Sequence, residues 1–92
     1  MIVKGKTPAG FEFEVDTIVI HDMEVIDALA EMGDNPLLIS KASLKILGKE
    51  QRAKLYDHIR DNKDGRVPDE TFSDEFAFIL ETIGDAGEDE KN

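Results

Sequence analysis

Phe11, Phe13 and Val15 alternate with Glu12, Glu14 and Asp16. That period of two is the pattern of a strand with one buried and one wet face. Residues 1–4 form a second short extended run, and Lys6-Thr7-Pro8-Ala9-Gly10 separates the two. Pro8 suits the second position of a type I turn and Gly10 the fourth, so a β-hairpin is predicted. Two strands are marginal alone in water, so helices or a partner must cover the Phe11/Phe13/Val15 face. Thr17-Ile18-Val19-Ile20 fits either a third short strand or a buried connector.

From Asp22 the apolar spacing changes to that of a helix. Asp22 suits an N-cap, Val25, Ile26, Leu29 and Met32 fall on one stripe, and Gly33 suits a stop. Asp34 or Asn35 then caps a helix that begins at Pro36. Across residues 36–47, Leu37, Leu38, Ile39, Ala42, Leu44, Ile46 and Leu47 spread right around the wheel, interrupted only by Ser40, Lys41, Ser43 and Lys45. A helix apolar on all sides is either central to the fold or buried against another molecule, and the pattern leaves both readings open. Gly48 breaks the run. A helix over about 49–62 follows, with Leu55, Tyr56 and Ile59 as a thin stripe on an otherwise charged surface. The last helix, about 68–84, opens with Pro68-Asp69-Glu70, acids that the helix dipole favours, and carries Phe72, Phe76, Ile79, Leu80 and Ile83 on one side. Phe78 lies opposite that stripe and is a candidate contact residue. Gly84 is expected to end this helix. The expected fold is α+β: a small N-terminal β-hairpin followed by a bundle of about four helices, one domain over 1–84 with an acidic, disordered tail over 85–92.

Composition narrows the classes. A chain of 92 residues makes one domain that buries roughly 60–65% of its surface. Its stability margin is thin, so self-association or a partner is a fair expectation. There are no cysteines, which excludes disulfides and thiolate metal sites. No apolar run approaches the ~20 residues needed to span a bilayer, and residues 1–5 lack the apolar core of a signal peptide, so a cytoplasmic protein is expected. The net charge of −10 is unevenly placed: −6 over residues 1–40, +4 over 41–66 and −8 over 67–92. Nucleic acid would be repelled by both ends. The basic middle is either a solvated face neutralised within the fold or an attractor for an acidic protein or the acidic end of a second copy. Leu37, Leu38, Ile39 and Leu44, with Lys41, Lys45, Arg52 and Phe78, are the candidate partner-binding residues.

Catalytic and metal chemistry find little support. Residues 60–67 resemble a calcium loop: with Gly65 at loop position 6, Asn62, Asp64 and Val67 fall at positions 3, 5 and 8. Position 1 is then Arg60 where an Asp is needed, and position 12 is Thr71 where a bidentate Glu is needed. A helix-ending turn that needs Gly65 at a strained φ explains the same residues. His21 and His58 are the only imidazoles, and no GxGxxG, P-loop, GxSxG or HExxH motif occurs. No catalytic residue, metal ligand or cofactor is assigned.

Leu47-Gly48-Lys49-Glu50-Gln51, Leu55, His58-Ile59-Arg60-Asp61 and Asp64-Gly65-Arg66-Val67-Pro68 together resemble the tail assembly chaperones of long-tailed phages and prophages of Gram-positive bacteria. The short β segment, the acidic helix, Asn35-Pro36 before a Leu-rich helix and the acidic C-terminus follow the same order. The resemblance implies a non-enzymatic cytoplasmic morphogenesis factor, absent from the mature virion. Such a factor binds the long tape measure protein and keeps it soluble until tail-tube subunits polymerise around it. It also implies a frameshifted longer form that recruits the tail-tube protein. The competing reading is a small acidic adaptor or inhibitor module that binds one folded protein.

Overall fold

A computed structural model describes residues 1–91, with side chains described through Ala86. Strands β1 (Ile2–Lys6) and β2 (Glu12–Asp16) form a two-stranded antiparallel sheet in which Val3 faces Val15 and Gly5 faces Phe13. The predicted turn is present: the Gly10 N–H donates to the Thr7 carbonyl at 2.8 Å, which puts Pro8 second and Gly10 fourth. Phe11, Phe13 and Val15 are buried while Glu12 and Glu14 are exposed, as their alternation requires. Gly5 is there because of Phe13. A Cβ at residue 5 would meet the Phe13 ring at 2.6 Å, so the ring lies where any other side chain would stand.

Thr17–His21 is not a strand but a partly buried connector wound as a 3₁₀ turn, capped by the Asp16 carboxylate accepting the Ile18 N–H at 3.1 Å. Thr17 is buried there and Ile18 is exposed. Asp22 caps α1 (Met23–Asp34), accepting from the Glu24 N–H at 2.8 Å. The helix buries Val25 and Ala28. Ile26, placed on the inner stripe by spacing, is exposed, because the inner face is rotated toward Ala28. Gly33 does not stop the helix; Asn35 does, its N–H donating to the Glu31 carbonyl.

The same Asn35 starts the next segment. Its side chain accepts the Leu37 N–H at 3.1 Å, Pro36–Leu38 forms one 3₁₀ turn, and α2 (Ile39–Ile59) follows. Gly48 interrupts α2 at φ +81 and ψ 164. The break expected at Gly48 is present, but the two arms it separates, expected as helices 36–47 and 49–62, run on as one kinked helix, so the described residues hold three α-helices where about four were expected. Its far end is Ile59, three residues early, because residues 61–66 fold back on themselves: the Gly65 N–H donates to the Asp61 carbonyl and the Asp61 N–H to the Arg66 carbonyl. Gly65 sits at φ +74 in that turn.

Helix α3 (Asp69–Lys91) buries Phe72, Phe76, Ile79 and Ile83 against the other elements. It passes Gly84 without a left-handed φ, so the expected stop is absent; a helical glycine alone costs only about 1 kcal/mol. The expected tail over 85–92 falls mostly on residues whose side chains lie outside the described set. The core joins the apolar face of the sheet to Val25 and Ala28, to Ala42, Ile46, Leu47 and Leu55, and to α3. Phe72 sits edge-on to Tyr56 at 5.3 Å between ring centroids. Full burial of side chains such as Leu55, Phe76 and Ile79 contributes roughly 1.5–3 kcal/mol each. Among the described residues no helix is long and apolar enough to cross a membrane.

Candidate partner-binding site

The residues of the over-apolar segment divide between core and surface. Ala42, Ile46 and Leu47 are buried, whereas Leu37 is 84% exposed and Leu44 is 41% exposed. The 3₁₀ turn accounts for Leu37. Its tighter winding, started by Asn35 and Pro36, carries the side chain off the inward face before α2 settles into regular geometry. Leu38 and Ile39 are half-buried. Lys41 and Leu44 are exposed on the outside of α2, and spacing puts Lys45 on the same surface. Lys45 is engaged with Glu24 of α1 at 3.1 Å.

Two further sequence candidates have intramolecular work. Arg52 donates to the Ser40 carbonyl at 2.8 Å and to its Oγ at 3.2 Å, and its guanidinium lies 5.3 Å from the Tyr56 ring centroid. It thus straps together the two arms of α2 across Gly48. Phe78 is half-buried and packs against the core instead of standing free on the far side of α3.

Beside Leu37 lies an open apolar groove of about 240 Å³. Met32, Pro36 and Ile39 make one wall, and Ser73, Phe76, Ala77 and Leu80 of α3 make the other. The α3 residues are spaced three, four and seven apart, one continuous helix face. Ser73 and Ala77 are small and exposed, and this is why α3 leaves space there. Cavities of about 150 Å³ admit a benzene ring, so the groove has room for a large apolar side chain. Sequence reasoning placed Ile39 at a partner surface but missed Met32, Ser73, Ala77 and Leu80. The available signal was the small pair Ser73/Ala77 beside the Phe76/Leu80 row.

Glu75 was missed as well. It is buried, accepts the Thr7 hydroxyl at 2.5 Å and takes the Ala9 N–H at 3.3 Å. The Thr7 hydroxyl in turn accepts the Phe11 N–H at 3.0 Å. His58 Nε2 lies 2.8 Å from the Ala9 carbonyl and its ring packs on Phe11 at 5.8 Å. Both groups hold the hairpin turn onto the helices. Glu75 was readable as an acid set among core positions, three after Phe72 and four before Ile79.

A second, larger and open trough of about 1030 Å³ lies between the hairpin and the far arm of α2, with Lys4, Lys6, Lys49 and Lys54 mixed among Glu12, Glu14 and Glu50. Gln51 closes part of it. Its side-chain amide accepts the Glu14 N–H at 2.8 Å and donates to the Glu14 carbonyl at 3.0 Å, completing the outer edge of β2 as a neighbouring strand would. In the 60–67 loop, Asp61 and Asp64 accept the Lys63 and Arg66 N–H groups, and Arg60 donates to the Gly65 carbonyl at 2.7 Å. Among the described residues no group of three or more His, Asp or Glu side chains is placed to hold a metal ion. Comparison with known proteins gives no relative: no family model, no curated protein and no solved structure matches the chain.

Proposed function

We propose that this protein is a tail assembly chaperone of a long-tailed phage or prophage. It binds the tape measure protein through apolar helical surface, keeps it soluble in the host cytoplasm, has no enzymatic activity and is left behind when the virion matures. A frameshifted longer form would bring in the tail-tube protein. The observation that carries the reading is the exposed Leu37, next in sequence to Pro36 on the wall of an open apolar groove: apolar surface that the core leaves uncovered. A client made of long helical stretches offers complementary stripes, and helix-in-groove docking is a common way to cover them. The sequence resemblance over residues 47–68 supports the same reading.

Co-expression tests it. The tape measure protein from the same gene cluster should be insoluble alone and soluble with this chain. Leu37→Asp should abolish the rescue while leaving the melting temperature of the chaperone nearly unchanged, since an exposed substitution shifts stability by no more than about 0.5 kcal/mol. An unrescued client, together with stoichiometric binding of one folded protein, would instead support the adaptor or inhibitor reading.

A further inference from the structure

We propose that the groove between Pro36 and Leu80 selects its occupant by charge: an amphipathic helix whose apolar stripe is bordered by lysine or arginine. The inference rests on the client-binding reading above and adds a sign to it. Acids predominate around the groove, and Lys41, two residues beyond Ile39 on α2, is the nearest cation along the chain. Helix α1 contributes Glu24, Asp27, Glu31 and Asp34, residues 69–86 contribute Asp69, Glu70, Asp74, Glu75, Glu81 and Asp85, and neither segment holds a Lys or Arg. Glu75 is turned inward to Thr7 and Glu24 is paired with Lys45, but the others are exposed. On α3 the helical spacing sets Glu70, Asp74 and Glu81 along the same side as Ser73 and Ala77, so the apolar floor is rimmed with carboxylates.

An acidic or neutral helix entering this groove would desolvate those carboxylates without supplying a counter-charge, whereas a basic border pairs with them. The far arm of the chain's own basic helix does not supply such a helix. In the far arm of α2, Leu55 is wholly buried and Tyr56 and Ile59 pack on the core, so a second copy has no apolar stripe there to offer with its positive charge.

The test uses the full chain and two synthetic helical peptides with the same leucine stripe, one bordered by Lys and Arg and the other by Glu, titrated by fluorescence anisotropy in low salt. The basic peptide should bind at least tenfold tighter. The preference should shrink at about 1 M salt, where screening acts within roughly 3 Å. Ala77→Trp, which fills the groove at an exposed position, should abolish binding, and Ala53→Trp on the exposed side of α2 should not. Replacing Glu70, Asp74 and Glu81 together by Lys should reverse the preference. Equal affinity for the two peptides would overturn the inference while leaving the co-expression result, and with it the chaperone reading, standing. Binding indifferent to Ala77→Trp would place the site elsewhere and overturn it too. So would a groove-mediated homodimer, dissolved by Ala77→Trp in light scattering, which would make the occupant a second copy.

Discussion

Replacing Gly48 by Ala isolates backbone strain from packing. Gly48 holds φ +81 and ψ 164, and a Cβ added there meets nothing within 4 Å. The cost is therefore conformational. That region of φ/ψ is essentially glycine-only, and forcing an L-residue into it costs about 1–3 kcal/mol. The Ala chain also has less freedom when unfolded, which returns about 0.4–1 kcal/mol, leaving a net loss of about 1–2 kcal/mol. For a domain of this size each kcal/mol is worth roughly 4–8 °C in melting temperature, so calorimetry should show a fall of about 5–15 °C. D-Ala at the same position, introduced by chemical ligation, accepts the positive φ and should melt near the parent. The alternative is that α2 straightens through residue 48, which the strap from Arg52 to Ser40 and the Gln51 contact with Glu14 oppose. An L-Ala variant as stable as the parent would refute the kink as the element that sets the second arm of α2.

Three further outcomes follow from the contacts. Glu75→Ala should cost about 2–4 kcal/mol, a hydrogen bond to a charged group plus its vacated volume, and Thr7→Val about 1–3 kcal/mol, both read as urea midpoints. Gln51→Ala bares the Glu14 N–H and carbonyl on the β2 edge, and concentration-dependent light scattering should rise relative to the parent. The Asp16 carboxyl is held below its ordinary range by the Ile18 N–H and then by the N-terminal ammonium. Its contribution is complete above the ordinary carboxylate pKa and is lost as pH falls through the lowered one. Asp16→Asn should therefore lower stability slightly at neutral pH and leave it unchanged at pH values below the lowered pKa, which flattens the acid limb of the pH–stability curve.

What the chain discloses before folding is mostly local. The hairpin was legible because turn chemistry at Pro8 and Gly10 and the alternation at 11–16 lie within one short stretch. The caps at Asp22 and Asn35 were legible for the same reason. Helix number was misjudged because a glycine break leaves no sign of whether the two arms count as one element. Of the site, Leu37 and Ile39 could be marked as surplus apolar residues, but their direction depends on a single 3₁₀ turn. The groove itself was not legible, since it exists only where the end of α1 and the middle of α3, distant in sequence, come side by side. Phe78 was misplaced because the helical wheel shows angle but not which neighbours arrive.

The turn of the hairpin is fastened by residues made much later: His58, 49 positions beyond Ala9, and Glu75, 68 positions beyond Thr7. During synthesis the first strands leave the ribosome long before either fastener exists. Their phenylalanines must wait uncovered until α3 emerges, so native assembly follows the synthesis of that helix, and a nascent chain stalled before residue 72 should be a target for cellular holdases.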